Sequence, residues 1–366
     1  MTNDQTSLRP LPLREQHVAL GARFGEFSGW EMPLWYGGAV EEHMAVRNNA
    51  GVFDISHMGR FLVEGADAGE LLASLYTRDP RRLAINASAY GFSCNDSGGI
   101  IDDLILYRRG DDAFLVICNA ANAAVVGDGL VAAVTGKDAR LTNLTDAGTT
   151  LLAVQGPKAV DIIARILGED VRQIARRTSG DATRDGRSFF LARTGYTGED
   201  GFEVMASAED GTWLLSRLVE AGVTPAGLAC RDTLRLEAAL ALHGHDIDDT
   251  TNPFEAGLGW AVELDHEFRG RDALVAAKEN VTRRLLCILA DGPGVMRAGS
   301  EIYAGDERIG VLASGGHSPV LGKSIGMGYL PRSVAREGAS LSIDVRGRRI
   351  PAHTVKRPFY SPPTTD

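Results

Sequence analysis

The stretch that decides the fold is Ile100-Ile101-Asp102-Asp103-Leu104-Ile105-Leu106-Tyr107, an apolar run with two adjacent carboxylates inside it. The turn residues Asn95-Asp96-Ser97-Gly98-Gly99 precede it, so the pattern predicts a strand that follows a tight turn. Side chains alternate between the faces of a strand, and Asp102 and Asp103 therefore lie on opposite faces. Whichever face is buried carries an acid among apolar side chains, where an unpaired charge is costly and the pKa of the acid rises. We interpret the pair as a candidate site acid or base, although an acid bonded to backbone near a turn also fits.

The segments around this strand predict a mixed α+β unit. The predicted order is one strand, one helix, three strands and a second helix, which resembles a ferredoxin-like unit that ends near Leu144. The predicted strands cover residues 60–64, 88–94, 100–107 and 113–118, and the helices cover residues 67–76 and 121–134.

The rest of the chain predicts two further units. The first has a strand at 150–155, a helix at 158–167, two strands at 188–193 and 202–206, and then two helices at 212–221 and 231–242. From residue 283 onward the helical signal fades, and short strands at 285–289, 308–313 and 340–345 between Gly and Pro turns predict a small all-β domain.

Composition excludes several classes of protein. The 366 residues are enough for two or three domains, and the net charge of −10 argues against a general nucleic-acid binder. No apolar run reaches the length of about 20 residues that a membrane helix needs. The four cysteines form no C-x-x-C pair, so we expect buried thiols rather than disulfides or a metal site. Residues 1–10 do not resemble a secretory signal, and we expect a reducing, cytoplasmic compartment.

Three other segments contain candidate functional residues. The Gly-rich stretch Thr194-Gly195-Tyr196-Thr197-Gly198-Glu199-Asp200-Gly201 can bring Tyr196 and Glu203 into a cleft, or it is a plain hairpin loop. Arg231 stands at the start of a predicted helix, where a cation is unfavourable, so we expect an anionic partner, and Asp232 is one candidate. His243-Gly244-His245 lacks a clustered third ligand, which disfavours a zinc site.

Ordered sequence blocks along almost the whole chain, from about Pro12 to Phe359, closely resemble the T-protein (aminomethyltransferase) family of the glycine cleavage system. The blocks are Phe27-Ser28-Gly29-Trp30-Glu31-Met32-Pro33-Leu34, Gly51-Val52-Phe53-Asp54-Ile55-Ser56-His57-Met58-Gly59, Gly98-Gly99-Ile100-Ile101-Asp102-Asp103-Leu104, Gln155-Gly156-Pro157, Arg193-Thr194-Gly195-Tyr196-Thr197-Gly198-Glu199, Ala226-Gly227-Leu228-Ala229-Cys230-Arg231-Asp232, Arg235-Leu236-Glu237-Ala238, Asn252-Pro253-Phe254-Glu255 and Ser318-Pro319-Val320-Leu321-Gly322.

The resemblance implies an α+β fold in which three domains form a cloverleaf around a central folate channel. It implies a first, folate-binding domain from residues 1–52 and 145–275, a ferredoxin-like inserted domain over 53–144, and a C-terminal β-barrel domain over 280–366. It also implies that the functional acid is Asp103, with Asp102 as the alternative. Folate contacts carry over to Tyr90, Asn119, Tyr196, Glu203 and Arg231, and Met58 is expected near the channel.

The activity that the resemblance implies is transfer of an aminomethyl group from the lipoyl arm of a carrier protein, the H-protein, to tetrahydrofolate. No metal, nucleic acid or membrane is expected to take part. The chain departs from the family pattern at His243-Gly244-His245, at Leu240 and at Arg176-Arg177-Thr178, where some relatives have aromatic residues. Two alternatives therefore stay open: a folate-dependent demethylase of a small sulfur or aromatic methyl donor, and a non-catalytic folate-binding regulator. The related iron–sulfur maintenance factors carry a cysteine motif where this chain has Gly195-Tyr196-Thr197-Gly198, which disfavours that activity.

Overall fold

The computed structural model describes residues 8–363, so the expectation that no secretory signal is present falls partly on residues outside the described range. Within that range the helices are α1 (Arg14–Ala19), α2 (Ala39–Asn48), α3 (Ala68–Leu75), α4 (Ala123–Val134), α5 (Ala159–Leu167), α6 (Ala208–Glu220), α7 (Leu228–Glu237) and α8 (Arg271–Glu279). The strands are β1 (Arg9–Pro10), β2 (Arg23–Phe27), β3 (Trp30–Trp35), β4 (Gly51–Asp54), β5 (Gly59–Glu64), β6 (Ser88–Cys94), β7 (Ile100–Arg108), β8 (Ala113–Cys118), β9 (Arg140–Asn143), β10 (Thr149–Gln155), β11 (Ser179–Arg184), β12 (Arg187–Ala192), β13 (Gly201–Ser207), β14 (Thr224–Pro225), β15 (Arg283–Ala290), β16 (Glu301–Ala304), β17 (Glu307–Ser318), β18 (Lys323–Pro331), β19 (Ser340–Val345) and β20 (Arg348–Val355).

A six-stranded sheet in the order β11-β12-β13-β10-β4-β14 forms the first unit. One face of this sheet packs against α5 and α6, and the apolar core between them includes Leu152, Val154 and Ile163. The opposite face carries Phe53, Leu151 and other side chains that pack against the second unit. The sheet is therefore buried on both faces, which explains why β10 is a nearly continuous apolar run.

The second unit is a five-stranded sheet in the order β6-β7-β8-β5-β9. Strand β7 alternates as the sequence predicts, because Leu104 and Leu106 face a core with α3 and α4 while Ile105 and Tyr107 face the six-stranded sheet. The two carboxylates of β7 consequently lie on these two different sides. A small third sheet, β1-β3-β2, carries the aromatic residues of the N-terminal region.

Strands β15 to β20 close into a barrel in the order β15-β18-β17-β16-β19-β20, which confirms the predicted all-β C-terminal unit and the α+β class. The sequence prediction gave only three of its six strands. The C-terminal end of helix α7 packs on the barrel, since Leu236 in the helix and Ala239 just after it contact Leu285, Cys287 and Ile325. The division into domains at 1–52 with 145–275, 53–144 and 280–366 stays a prediction.

Helix α7 ends earlier than the sequence predicts. The helical pattern extends to residue 242, but the helix stops at Glu237 and Ala239 adopts a left-handed conformation with φ of 52°. A non-glycine residue in this region is unfavourable, and burial of Ala239 against the barrel compensates for it. The early stop sends residues 240–245 toward the other units instead of along the helix axis.

A group that we call the closed network joins the first unit to the barrel. Its centre is Glu237, whose buried carboxylate pairs with Arg47 at 2.9 Å and with His43 at 3.0 Å, and also accepts from the Ser318 hydroxyl. Arg47 in turn pairs with Glu199 at 2.8 Å and donates to the carbonyls of Thr197 and Leu234. Burial raises the pKa of Glu237, but the hydrogen bonds from His43 and Ser318 and the charge of Arg47 outweigh it and lower this pKa to about 2.

All four cysteines are buried and free, as the sequence predicts. Across residues 8–363, no helix has both the length and the apolar character that a membrane crossing requires.

Candidate functional site

A cavity of about 1380 Å³ lies where the three units meet, and each unit contributes to its wall. Seven of the eight residues singled out from the sequence line it: Met58, Tyr90, Asp103, Asn119, Tyr196, Glu203 and Arg231. The eighth, Asp102, lies behind the wall in the core of the five-stranded sheet and is fully buried. The cavity is larger than a typical small-ligand pocket of roughly 300–1,000 Å³, so it has room for a large ligand or for two reactants.

Of the two adjacent acids in β7, Asp103 is the one whose carboxylate faces the cavity. The Tyr90 hydroxyl donates to one of its oxygens at 2.9 Å, and the Asn119 side-chain amide donates to the other at 2.8 Å. Burial raises the pKa of Asp103, while these two donors stabilise the ionised form. Burial and the nearby carboxylate also raise the pKa of Tyr90 well above its usual value, so Tyr90 stays a hydrogen-bond donor.

Asp102 fixes the positions of Asn119 and Asn122 behind the cavity wall. Its carboxylate accepts hydrogen bonds from the Asn119 backbone N–H at 3.0 Å, from the Asn119 side chain at 2.8 Å and from the Asn122 side chain at 2.7 Å. Burial, followed by repulsion from the Asp103 charge, raises the pKa of Asp102 to about 7. One Asn119 amide thus bridges both acids, and a proton gained by one acid changes the charge that the other experiences.

Two further polar residues next to the acids, Asn122 and His243, were not predicted from the sequence to support the site. Asn122 donates to Asp102 and also lies 3.1 Å from Nδ1 of His243, whose Nε2 lies 3.1 Å from the Ile100 carbonyl oxygen. A carbonyl only accepts, so Nε2 carries a hydrogen toward the Ile100 carbonyl, and Nδ1 lies where it can accept from Asn122. The spacing Asn119-x-x-Asn122 at the start of a helix was an available signal, since residues three apart share one side of a helix.

A second group in the wall, which we call the open cluster, consists of His57, Tyr196, Glu203 and Arg231. The Arg231 guanidinium lies over the Tyr196 ring at 4.8 Å, and its buried Nη1 has no hydrogen-bond partner within the described residues. Glu203 accepts from the Thr194 hydroxyl at 2.8 Å; burial raises its pKa, and the Arg231 charge opposes that rise. The expectation that Asp232 pairs with Arg231 is wrong, because Asp232 is exposed and pairs with Arg235 at 2.8 Å.

His57 is a buried, neutral imidazole in the same wall. Burial, together with repulsion from Arg231 and Arg60, lowers its pKa to about 3. Its Nδ1 is buried without a partner in the part of the chain that the structure describes, and its ring meets Phe27 edge-on at 5.6 Å. The open cluster therefore combines a cation, an acid and a neutral ring whose polar groups are incompletely satisfied.

The Gly-rich segment 194–200 is both a hairpin loop and a part of the cavity wall, since it joins the paired strands β12 and β13. Gly195 lies so close to the Gln155 side chain that a Cβ would overlap it, and Gly198 has a φ of 85°. Glycine at these two positions lets the loop fold tightly enough to present Tyr196.

The comparisons with known proteins cover nearly the whole chain. The family model described as the GCVT N-terminal domain matches residues 13–266, and the model of the glycine cleavage T-protein C-terminal barrel domain matches residues 283–361. The aminomethyltransferase of Thermotoga petrophila is 41% identical over 358 residues, 96% of this chain and 98% of that protein. That of Saccharopolyspora erythraea is 42% identical over 363 residues, 97% of this chain and 99% of that protein.

A solved structure agrees with these sequence matches. The crystal structure of the glycine cleavage system aminomethyltransferase T from Bartonella henselae superposes with a TM-score of 0.91 at 36% identity, and covers 97% of this chain and 99% of that one. Two family models and full-length relatives above 40% identity give the same answer as the fold: the chain belongs to the glycine cleavage T-protein family.

Proposed function

We propose that this chain is an aminomethyltransferase that moves an aminomethyl group from the lipoyl arm of a carrier protein to tetrahydrofolate. The products are methylene-tetrahydrofolate, ammonia and the dihydrolipoyl form of the carrier. The single observation that carries the proposal is Asp103, a carboxylate in the wall of a large cavity that Glu203 and Arg231 also line. Its family and its full-length relatives support this reaction and do not favour a demethylase or a non-catalytic regulator.

The open cluster suits the pterin ring of tetrahydrofolate. An ionised Glu203 accepts two parallel N–H donors from the aminopyrimidine edge, and the Arg231 charge next to it favours that ionised form. Arg231 itself gains a partner when its free Nη1 donates to a ligand oxygen. Tyr90 and Tyr196 offer aromatic faces for the ring, with their hydroxyl groups already bonded to Asp103 and to the Ala241 carbonyl.

The reaction requires two bond exchanges at one carbon atom. A pterin nitrogen forms a bond to the methylene carbon between sulfur and nitrogen, the bond to the amine breaks, and the proton of the pterin nitrogen leaves with ammonia. The carbon–sulfur bond then breaks to give an iminium cation, the second folate nitrogen closes the methylene bridge, and its proton goes to the sulfur. Each exchange therefore passes through a state in which a folate nitrogen carries positive charge.

We propose that the Asp103 carboxylate stabilises this positive charge. A carboxylate held by Tyr90 and Asn119 is already oriented, so it stabilises a developing cation without reorganisation. Its raised pKa also suits a group that accepts and returns a proton, which contributes typically about 10²–10⁴-fold. Holding both reactants in one cavity contributes several kcal/mol more.

We propose the lipoylated H-protein as the protein partner and tetrahydrofolate as the co-substrate, with Met58 near the transferred group. No resident metal, nucleic acid or membrane is part of the proposal. The compartment we propose is the cytoplasm, supported by the four unpaired cysteines.

The test is an assay of methylene-tetrahydrofolate and ammonia from an aminomethyl-lipoyl carrier, with and without tetrahydrofolate. We expect both products only when tetrahydrofolate is present. Tetrahydrofolate alone is expected to raise the melting temperature, because a ligand that binds the folded state stabilises it. A folded protein that neither binds tetrahydrofolate nor forms the products would refute the proposal.

A further inference from the structure

Three potential metal ligands lie close together at the border between the second unit and residues 261–269. Glu263, Asp265 and His266 each offer one ligand atom, and these three atoms lie within 4.8 Å of one another. Ligands of one Zn²⁺ ion lie about 2.0–2.2 Å from it and so at most about 4.4 Å from each other, a distance that small side-chain rotations give here. Within residues 8–363, no other His, Cys, Asp and Glu side chains form such a group.

The imidazole ring of His266 is the strongest sign of a metal ion. His266 is only 8% exposed, and its Nε2 lies 3.0 Å from the Tyr76 carbonyl oxygen, which only accepts, so Nε2 carries a hydrogen. Its Nδ1 is buried and has no hydrogen-bond partner among the described residues, and it is the nitrogen left to face the two acids. Histidines that bind metals through one nitrogen commonly donate to a backbone carbonyl through the other, as His266 does. A bound ion would supply the partner that Nδ1 lacks.

Hydrogen bonds already hold the segment that carries these ligands. The Glu263 backbone N–H donates to the Thr77 carbonyl at 2.8 Å, and the Glu263 carboxylate accepts from the Asp79 backbone N–H at 3.0 Å. The Leu264 carbonyl accepts from the Arg271 side chain at 2.9 Å. Because the backbone is fixed before an ion arrives, binding orders little more than the ligand side chains.

Two arginines compete with an ion for the carboxylates. Arg82 pairs with Asp265 at 2.8 Å, and Arg78 approaches Glu263 at 3.3 Å. The Arg82 and Asp265 side chains are 46% and 66% exposed, and an exposed pair of this kind contributes little free energy. Arg82 also lies 3.4 Å from Asp79, so it keeps an acidic partner when an ion takes Asp265.

We propose that Glu263, Asp265 and His266 bind a Zn²⁺ ion that fastens residues 261–269 to the second unit, with water as the fourth ligand. One imidazole and two carboxylates suit Zn²⁺, whereas Mg²⁺ and Ca²⁺ prefer oxygen ligands alone. The exposed side of Asp265 leaves room for the water. None of the three residues lines the cavity, so the ion acts on stability and takes no part in the proposed reaction.

The test is a calorimetric titration of the full chain with Zn²⁺, with the melting temperature as a second measurement. We expect one Zn²⁺ ion per chain and a Kd below about 10 μM. A Zn²⁺ concentration about tenfold above the Kd should raise the melting temperature by about 2 °C, and a chelator should reverse the rise. Mg²⁺ at the same concentration should leave the melting temperature unchanged, because it does not use an imidazole ligand.

Four variants test the ligands and their competitor. Asp265→Asn changes an exposed side chain, so the protein should fold normally and bind Zn²⁺ about tenfold more weakly or worse. His266→Gln should lose binding as well. Arg82→Gln frees Asp265 from its ion pair and should bind Zn²⁺ about threefold more tightly. The matched control is Asp291→Asn, which removes the acid of the exposed pair with His353 in the barrel and should bind as wild type.

Two results would overturn the site. One is the absence of Zn²⁺ binding in both the wild type and Arg82→Gln. The other is binding that survives unchanged in a folded Asp265→Asn protein, which would show an adventitious ion only. Neither result bears on the proposed reaction, because folate binding and turnover are measured separately.

Discussion

The closed network around Glu237 and the open cluster around Arg231 are built from the same kinds of residue and differ in how completely they are paired. In the closed network every charged group has an opposite charge within about 3 Å, and the Glu237 carboxylate also accepts from Ser318 and the Val320 backbone. In the open cluster Arg231 and His57 each keep a buried nitrogen without a partner within the described chain. A complete network stabilises the protein itself, whereas an incomplete one stabilises what binds to it.

The largest effect is expected when the closed network is broken. Glu237→Gln leaves Arg47 and His43 without their shared carboxylate, and loss of one partner of a buried ion pair costs about 3–5 kcal/mol. Urea unfolding should show this loss in the free energy of unfolding. Glu220→Gln, which removes an exposed pair with Arg217, is the control and should change stability by less than about 0.5 kcal/mol. A loss of similar size in both variants would contradict the distinction.

Low pH should reduce the difference in the free energy of unfolding between the wild type and Glu237→Gln. The pKa of Glu237 is about 2 in the folded state and 4.5 in the reference state, so its stabilisation is complete above pH 4.5 and is lost as the pH falls toward 2. At about 1.36 kcal/mol per pKa unit, the stability gap should shrink by about 2 kcal/mol between pH 5 and pH 3. A gap that stays constant over this range would show that the carboxylate charge is not what stabilises the network.

Asp103→Asn tests whether the cavity residues act in the reaction rather than in stability. The change is nearly isosteric, so stability and most of the tetrahydrofolate affinity should stay, while kcat falls about 10²-fold or more. Single-turnover measurement with the aminomethyl carrier gives the rate, and Asp111→Asn in the β7–β8 turn is the exposed control. A wild-type rate in Asp103→Asn would remove Asp103 from the mechanism and transfer the role to Asp102.

Arg231→Met should have the smallest effect on rate and the clearest effect on binding. A hydrogen bond to a charged group contributes about 1.5–3 kcal/mol, so the Kd for tetrahydrofolate should rise about 10- to 100-fold. The melting temperature of the unliganded protein should change little, because Arg231 forms no ion pair shorter than 4 Å within the described residues, and Glu203, whose pKa burial already raises, can take up a proton when the Arg231 charge is removed. A large drop in stability without ligand would place Arg231 with the structural residues.

Features of this chain that depend on neighbouring residues were predicted correctly from the sequence, and features that depend on distant contacts were not. The alternation of β7 placed Asp102 and Asp103 on opposite sides correctly, because strand periodicity depends on neighbouring residues alone. The end of α7 at Glu237 and three barrel strands were missed, since contacts with distant strands decide them. The same holds for Arg231, whose environment depends on Glu203 and Tyr196 rather than on Asp232.

The residues of the closed network are translated at widely separated times. Arg47 is translated 190 residues before Glu237, and Ser318 follows Glu237 only after 81 more residues. At roughly 5–20 residues per second, about 10–40 s pass between the synthesis of Arg47 and that of Glu237, and Glu199, the other carboxylate partner of Arg47, is made 152 residues after Arg47. Until both Glu199 and Glu237 have been made, the nascent N-terminal region carries a guanidinium group destined for the interior without its full set of carboxylate partners, and we expect chaperone binding to protect the chain most in this period.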